Sequence, residues 1–465
     1  MMNLEKLLST LKSLDVRLWV EGSALRCDAP QGALTNELKD VLRYHKKELV
    51  DLLSPSRTSG VVNAWEADIV LSDEFRFEGQ PDHAEVSTEK RIFLTGATGF
   101  LGAYLLSELI QQTQSNIICL VRGNTQEKNE GLSAFSRVEK SLAHYGLWQD
   151  GYKERLLVLE GDLSKKQLGL SNESYLDLIT TVGCIFHNGA YVHHGLPYTS
   201  LRATNVKSTK ELLRLAFQAR SDFHYVSTLG VLPPLASEKH KRFYEKDSIS
   251  LMPPPRGGYN LSKWVSERLV EEAASRGLAV TVYRPGPISG DSTTGVFNDQ
   301  DFLCRLVRGY MASEMAPEGK TPLDLLPVDY VGKAVVWLSQ LNRNNNRPVQ
   351  RYHLIHPRPV SSEKIFQACQ RAGLNIKRVP YQTWYDQLAE VVRKGRIDHP
   401  LYPLAGLFAS RAEGGVKQSV DIKLPFDITE VEEALRDAPF LLPALNAKLF
   451  DKYLEVMLEQ ELVQT

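Results

Sequence analysis

The sequence predicts an α/β fold: a doubly wound parallel sheet, followed by a smaller, mostly helical subdomain and preceded by a small α+β unit. Three observations support this prediction. From Arg91 onwards, apolar segments alternate with helical segments, as in βαβ units. A glycine-rich turn, Gly96-x-x-Gly99-x-x-Gly102, directly follows the first apolar segment. Finally, the strand pattern weakens after about residue 290, and the first fifty-odd residues carry a separate pattern of their own.

The composition is that of a soluble globular protein: 465 residues, of which 43% are hydrophobic and 24% charged. The net charge of −1 gives no reason to expect nucleic acid or an anionic membrane as partner. We find neither a secretory signal nor the roughly 18 consecutive apolar residues that could span a membrane. The five cysteines are scattered, which favours reduced thiols and a cytoplasmic location over disulfides or a zinc site.

Residues 1–54 are predicted to form the small first unit, in which two helices flank a hairpin. Val16, Leu18 and Val20 alternate as in a strand, Glu21–Ser23 forms the turn, and Leu25–Cys27 returns. Thr35 is the expected N-cap of the second helix. Apolar positions at helical spacing are Leu4, Leu7, Leu8 and Leu11 in the first helix and Leu38, Val41, Leu42, Leu49, Leu52 and Leu53 in the second.

A linker at 55–60, rich in Ser, Pro and Gly, separates this unit from residues 61–465. An acidic segment, residues 61–90, leads into the sheet. The predicted nucleotide-binding part covers residues 61–290 and includes a substrate-side loop at 232–258. Residues 291–465 form the predicted subdomain, helical over 301–345 and 361–395, with short extended pieces at Asp324–Val328 and Tyr352–Ile355. The strand candidates are 91–95, 116–121, 156–160, 182–186, 223–227 and 278–283.

The glycine turn lies between a strand and a helix, which is the context that makes this motif specific for a dinucleotide in a Rossmann-type sheet. Its glycines permit a tight turn and a close approach of the backbone to a pyrophosphate. The helix that follows offers free N–H groups and a partial positive charge. Residues expected to line the nucleotide here are Gly96, Thr98, Gly99, Phe100, Leu101 and Gly102.

Arg122 ends the second strand, where an NAD-specific site usually has an acidic residue. An arginine there can pair with the 2′-phosphate of NADPH, and Arg137 is a candidate second contact. The alternative for both is a solvated surface arginine. Asp162, after the third strand, is expected to accept from the adenine amino group while Leu163 packs on the ring.

The fourth strand ends in small residues, which let the backbone approach the nicotinamide side of the cofactor. These are Asn188, Gly189 and Ala190. We expect the preceding His187 to pack structurally. The adjacent His193 and His194 point in different directions and have no third ligand at usable spacing, so no metal site is expected.

Tyr259 and Lys263 are four residues apart in a predicted helix and therefore share one face. The ammonium is expected to lower the phenol pKa, so that Tyr259 exchanges a proton with a substrate oxygen, and Lys263 can also hold the nicotinamide ribose. Thr228, after the fifth strand, would donate to the same oxygen. The alternative is an ordinary amphipathic pair. Residues expected to close the nicotinamide end are Pro285, Gly286 and Ile288.

Residues 91–290 resemble the extended short-chain dehydrogenase/reductase superfamily, and the chain from about 60 onwards resembles its thioester reductase domains of nonribosomal peptide and polyketide assembly lines. The residues that carry the resemblance are Leu94–Gly102, Cys119–Arg122, Asp162, Asn188, Asn205, Ser227-Thr228, Gly258–Trp264, Arg284–Gly286 and Leu326–Val331.

This resemblance implies that Asn205 belongs to the cofactor site and that NADPH reduces an acyl or peptidyl thioester held on the phosphopantetheine arm of a carrier protein. Tyr259 would protonate the oxyanion with Thr228 as second donor, giving an aldehyde, and a second round would give an alcohol. Some relatives lack the tyrosine and catalyse redox-neutral cyclisation, so Tyr259 favours reduction.

The first unit resembles TubC-type docking domains, which grip the C-terminal tail of a preceding assembly-line protein, and a strand edge could accept such a tail. The alternative is an appendage that caps the reductase. The residues that carry this resemblance are Leu18–Gly22, Leu25, Ala29–Leu34 and Lys46–Leu49. Because no adenylation domain or carrier motif is found, we expect action in trans on the carrier of another protein.

Two other functions compete with this prediction. One is reduction of soluble fatty acyl-CoA or acyl-carrier protein, or another dehydrogenase activity of the superfamily on a sugar nucleotide or sterol. The other is a docking adaptor with a relic fold and no activity. A docking unit has no evident use with a small soluble substrate, and the complete set of Thr228, Tyr259 and Lys263 argues against a relic.

Overall fold

The computed structural model of the chain describes residues 7, 11, 16–21, 24–29, 35–46, 65–77, 90–123, 133–233, 242–299, 301–319, 322–341, 349–396, 399–405, 408 and 426–464. The predicted linker at 55–60 lies outside these residues. So do Leu4, Leu8, Leu49, Leu52, Leu53, the turn residues Gly22 and Ser23, most of the Ala29–Leu34 motif and the end of the Lys46–Leu49 motif.

The described strands are β1 (Arg17–Glu21), β2 (Ala24–Asp28), β3 (Arg91–Thr95), β4 (Ile117–Val121), β5 (Leu156–Glu160), β6 (Val182–His187), β7 (Asp222–Val226), β8 (Val280–Pro285), β9 (Ile288–Ser289), β10 (Met315–Pro317), β11 (Pro322–Leu323), β12 (Leu326–Pro327), β13 (Val349–Leu354), β14 (Val360–Ser361) and β15 (Lys377–Val379).

The described α-helices are α1 (Asn36–Tyr44), α2 (Phe100–Gln112), α3 (Ala134–His144), α4 (Asn172–Thr181), α5 (Tyr198–Arg202), α6 (Ser208–Ala219), α7 (Gly258–Ser275), α8 (Phe302–Ser313), α9 (Val328–Leu341), α10 (Glu363–Arg371), α11 (Tyr381–Arg393), α12 (Thr429–Ala434) and α13 (Ala447–Gln464). A π-helical turn, Ala203–Lys207, joins α5 to α6.

The central sheet has seven parallel strands in the order β13-β8-β7-β6-β3-β4-β5. Its inner strands are almost completely buried because helices cover both faces. In β3, Phe93 packs into the core on one face while Ile92 and Leu94 pack into the core on the other. This confirms the predicted doubly wound α/β fold.

The seventh strand, β13, is a correction to the prediction. The sequence analysis placed an extended piece at Tyr352–Ile355 in the subdomain, whereas the structure pairs β13 with β8 from Val349↔Val280 to Leu354↔Pro285. The strand carries buried polar residues, Gln350 and His353, so its apolar pattern is broken. Its place in the sheet depends on long-range pairing that local periodicity does not report.

The acidic lead-in packs against the sheet layers through residues 65–77. Leu71 and Phe75 join the apolar core. The Asp68 carboxylate accepts hydrogen bonds from the Tyr198 hydroxyl (2.6 Å) and the Arg202 guanidinium (2.6 Å). This segment therefore belongs to the same folded unit as the central sheet.

The C-terminal part divides between two places. Helix α9 packs on α2 of the nucleotide-binding part, where Gly332 lies against Tyr104. Helices α8, α10 and α13 form a separate apolar core that includes Phe297. Trp384 of α11 belongs to a further apolar cluster. The predicted helical subdomain is present, but α9, within the predicted 301–345 stretch, covers the sheet.

The first unit contains an antiparallel hairpin, β1–β2, paired from Arg17↔Asp28 to Glu21↔Ala24. The Thr35 hydroxyl accepts from Leu38 N (3.2 Å) and caps α1. Leu7, Leu11, Val16, Leu38 and Leu42 form its apolar core. None of the helices within the described residues is long and apolar enough to cross a membrane.

Candidate cofactor and active site

The glycine turn between β3 and α2 forms a cradle that only glycine can build. Gly96 has a φ of +77°, and a Cβ there would lie 2.8 Å from the Gly189 Cα. A Cβ on Gly102 would overlap the Gly96 carbonyl oxygen. Gly99 caps α2 without a side-chain hydrogen bond, so the N–H groups of the first helical turn are available to a ligand. This arrangement fits a dinucleotide pyrophosphate.

His187 lies behind this cradle as a structural residue, in agreement with the sequence analysis. Its Nδ1 and Nε2 lie 3.0 Å from the hydroxyls of Thr95 and Thr209. Because the Thr209 hydroxyl donates to Asn205 O (2.8 Å), it accepts from Nε2–H, and Nδ1 accepts from Thr95. Burial holds the pKa of His187 well below its usual value, so the imidazole is neutral. Thr95 in turn accepts from Gly189 N (2.9 Å) and fixes this loop.

Asn205 lies in the π-helical turn and is buried. Its Oδ1 accepts from Tyr191 N (2.7 Å), and its Nδ2 donates to Tyr191 O (3.1 Å) and Ser262 Oγ (2.9 Å). Both amide hydrogens are therefore used within the protein. Asn205 was predicted to belong to the cofactor site, whereas in the structure its side chain joins the loop after β6 to α7. Asn188 lies in front, with Nδ2 3.5 Å from Gly96 O, followed by Ala190.

Two guanidinium groups meet at the end of β4. Arg122 is exposed, and Arg137, on α3, donates to the Arg122 carbonyl oxygen. Burial, and then the charge of Arg122, lower the pKa of Arg137. Within the described part of the chain, neither arginine forms an ion pair. Helix α3 is also fixed to the glycine turn, because Ser141 Oγ donates to Thr98 O (3.2 Å).

Asp162 and Leu163 follow β5 beside this cationic pair. The Asp162 carboxylate accepts from Ser164 N and Oγ, both at 2.8 Å. Burial alone would raise the pKa of Asp162, but these hydrogen bonds and the charge of Arg122 lower it. Leu163 lies against Gly189, where its Cδ1 is 2.7 Å from the position of an added Cβ.

Tyr259 and Lys263 lie on α7, as the spacing predicts, but their electrostatics differ from the expectation. Lys263 Nζ donates to Val226 O (2.7 Å) and lies 4.1 Å from the centroid of the Tyr225 ring. Burial lowers the pKa of Lys263 to about 7, with a smaller opposing effect from Glu267. Burial also raises the pKa of Tyr259 to about 12. The expectation that the ammonium lowers the phenol pKa is therefore wrong, because burial raises it instead.

Thr228 lies two residues after the end of β7, next to this helix. Its Oγ1 accepts from Gly230 N (3.2 Å), which leaves its own proton for a substrate oxygen. A Cβ added to Gly230 would lie 2.5 Å from the Asn260 Oδ1, so the turn after Thr228 rests on the residue next to Tyr259. The turn that follows Thr228 is therefore in contact with the first turn of the helix that carries Tyr259.

One wall of the candidate site, called the far wall below, consists of three residues at and after the end of β8: Pro285, Gly286 and Ile288. Gly286 N donates to Leu354 O (2.9 Å), and Ile288 pairs with Leu326 of β12. A Cβ on Gly286 would lie 3.5 Å from the Leu229 side chain, so this wall contacts the turn after Thr228. On the open side, the His194 ring packs edge-on against Tyr259, with 5.3 Å between centroids.

Sequence reasoning missed Glu267, Ser227 and Arg284 as a connected group behind these residues. The Arg284 guanidinium and Glu267 carboxylate are both completely buried and form an ion pair. The available signal was spacing, since Glu267 follows Lys263 by four residues and lies on the same helical face.

The family model described as "Male sterility protein", a family of NAD-binding domains, matches residues 94–335. The chain belongs to this family. A second model, the TubC N-terminal docking domain, matches residues 4–54. Both confirm the predicted resemblances, and the glycine cradle with this family assignment makes the chain a nicotinamide-dependent reductase with an N-terminal docking domain.

Similar proteins include a linear gramicidin synthase from Brevibacillus parabrevis, 33% identical over 83% of this chain and 7% of that protein. L-2-aminoadipate reductase of Saccharomyces cerevisiae is 33% identical over 70% of this chain and 24% of that protein. The chain thus spans a quarter or less of the length of these relatives.

Among solved structures, the terminal R domain from the myxalamid PKS-NRPS biosynthetic pathway is 35% identical, with a TM-score of 0.73, and the match covers 86% of this chain and 97% of that one. A reductase domain of a nonribosomal peptide synthetase from Mycobacterium tuberculosis is 26% identical, with a TM-score of 0.65, and the match covers 86% of this chain and 96% of that one. The whole reductase domain, including its C-terminal helices, therefore has the architecture of these R domains.

Proposed function

We propose that this protein uses NADPH to reduce an acyl or peptidyl thioester carried on the phosphopantetheine arm of a carrier protein, and that it releases the acyl or peptidyl group as an aldehyde. The observation that carries this proposal is the contact between the turn after Thr228 and Asn260, the residue next to Tyr259, at the edge of the parallel sheet where the glycine cradle also follows its strand. Two donors for one oxygen, next to a dinucleotide site, suit hydride addition to a carbonyl-type carbon.

The cofactor supplies a hydride to the thioester carbon. Because its pKa is raised to about 12, Tyr259 is protonated at neutral pH and donates to the oxygen that becomes negative, while Thr228 stabilises the same oxygen. The resulting hemithioacetal loses its hydroxyl proton to Tyr259 as the carbon–sulfur bond breaks. An aldehyde leaves, and the released thiolate takes a proton from solvent. No enzyme nucleophile is needed because the substrate arrives activated.

The choice of NADPH over NADH rests on the cationic pair after β4. Among the residues described, neither Arg122 nor Arg137 forms an ion pair, although the carboxylates of Asp162 and Glu160 lie near enough to act on them through their charge. A 2′-phosphate would neutralise this pair through charge-assisted hydrogen bonds, whereas a ribose hydroxyl would not.

The proposed partners follow from the docking domain and from the relatives, whose names include peptide synthases and synthetases. We propose that residues 1–54 bind the C-terminal tail of an upstream assembly-line protein, and that the thioester is delivered in trans by its carrier protein. Among the described residues, β1 and β2 pair only with each other, so the outer edge of either strand could supply the backbone groups for such a tail.

The test is NADPH oxidation by the full chain with matched substrates: one acyl group loaded on the cognate carrier, on coenzyme A and on free pantetheine. Intact mass spectrometry of the product should show the aldehyde, with carrier-bound substrate preferred. Deletion of residues 1–54 should raise KM for the carrier substrate and leave NADPH binding unchanged. Turnover of acyl-CoA alone, together with carrier kinetics that ignore the deletion, would overturn the proposal.

A further inference from the structure

A buried ionic network lies directly behind the proposed donors. Its centre is the Glu267 carboxylate on α7, which has no exposed surface. Glu267 Oε1 accepts from Arg284 Nε (2.8 Å) and Nη2 (2.6 Å), while the Ser227 hydroxyl donates to Oε2. The two carboxylate oxygens thus bind two different segments of the chain.

These segments are the ones that carry the proposed active site. Ser227 immediately precedes Thr228, and Arg284 immediately precedes Pro285 and Gly286 of the far wall. Glu267 lies one turn after Lys263 on the face that also presents Tyr259. One carboxylate therefore fixes the end of β7, the end of β8 and helix α7 relative to each other.

The network continues outward to the substrate side. Arg284 Nη1 lies 3.1 Å from His353 Nε2, and His353 Nδ1 lies 2.8 Å from Asp427 O. A carbonyl only accepts, so Nδ1 carries the proton and Nε2 accepts from Arg284. Burial, and then the charge of Arg284, lower the pKa of His353 to about 3, which keeps it neutral. His353 N donates to Glu245 (2.8 Å) in the substrate-side loop.

A buried ion pair of this kind contributes little to stability compared with apolar residues of similar volume, because both charges are desolvated. The ion pair instead restrains geometry, because each of its hydrogen bonds holds a donor atom at a fixed distance and angle from its acceptor. Ser227 is held from two sides: its N donates to Tyr283 O (2.7 Å) and its hydroxyl to Glu267. The backbone that carries Thr228 has little freedom as a result.

We propose that Ser227, Glu267 and Arg284 are positioning residues, which aim the Thr228 hydroxyl at the oxygen that Tyr259 also contacts. This inference rests on the proposed function, in which Thr228 is a donor to that oxygen. Glu267 acts through Ser227, and Arg284 fixes Glu267 and supplies its counter-charge.

The test is a double-mutant cycle in the full chain. Ser227→Ala removes the hydroxyl but leaves the ion pair intact, and Thr228→Val removes the donor. Ser227→Ala should lower kcat about 10-fold, because a loosely held Thr228 hydroxyl loses part of its roughly 100-fold contribution to kcat. KM and Kd for NADPH should stay unchanged. In the Thr228→Val background, Ser227→Ala should change kcat by less than about twofold, because the residue it positions is gone.

Two variants complete the design. Ser227→Thr keeps the hydroxyl and should restore most of the kcat. Ser339→Ala removes another buried serine hydroxyl, which donates to Val336 O (2.7 Å) on α9, and should leave kcat unchanged.

A fall in melting temperature with an unchanged kcat, or an additive loss in the Thr228→Val background, would overturn the positioning role while the wild type remains active. A wild type that reduces no thioester would overturn the proposed function and this inference with it.

Discussion

Arg122→Ala should change the cofactor preference, because Arg122 is exposed beside Arg137 and forms no ion pair in the part of the chain that the structure describes. A charge-assisted hydrogen bond contributes about 1.5–3 kcal/mol, which corresponds to a roughly 10- to 150-fold loss of NADPH affinity. We expect the lower end of this range because salt screens an exposed pair. NADH, which has no 2′-phosphate, should bind about equally well to both proteins.

The assay is titration of the full chain with each cofactor, followed by fluorescence, at two salt concentrations. Arg137→Ala should cost less than Arg122→Ala, because the Arg137 guanidinium already donates to the Arg122 carbonyl. Lys153→Ala, which removes a half-exposed cation paired with Glu139, is the control and should have no effect. Equal losses for both cofactors, or none for NADPH, would refute the assignment of Arg122 to the 2′-phosphate.

Three further predictions concern the site. Tyr259→Phe should lower kcat by about 10²- to 10⁴-fold and leave NADPH binding intact in titrations. Burial lowers the pKa of Lys263 to about 7 from its usual 10.5. Between these two pH values the unfolded chain binds more protons than the folded protein, so the free energy of unfolding of the wild type rises with pH across this window. Lys263→Met should remove this rise, and its melting temperature relative to wild type should be highest below pH 7 and decline towards pH 10. Gly102→Ala should abolish NADPH binding because the Cβ overlaps Gly96 O, whereas Gly151→Ala, with open space around it, should not.

The sheet could be predicted from sequence because its inner strands are buried on both faces and are largely apolar. The glycine turn could be predicted because its chemistry is local: strand, turn and helix are consecutive in the chain. The same holds for Tyr259 and Lys263, which one helix places on one face. In each case the residues that matter are close together in the sequence.

What could not be predicted depends on contacts between distant segments. The place of β13 in the sheet is one such case, since it requires pairing with β8. The links from Ser227 through Glu267 and Arg284 to His353 are another, because they join four segments of the chain. The local sequence does not indicate which buried charged residues will form ion pairs with each other.

The pKa values of Tyr259 and Lys263 also depend on burial, and their directions bear on the reaction. The sequence suggested a tyrosine ready to lose its proton, but burial raises its pKa to about 12. A protonated phenol is what reduction requires, because the oxygen of the thioester gains negative charge when hydride arrives. In the proposed reaction, a phenolate with so high a pKa is a strong base once it has donated, so it would take the proton back when the hemithioacetal collapses. Tyr259 would thereby be regenerated within each proposed cycle, and a raised pKa would serve both of its steps.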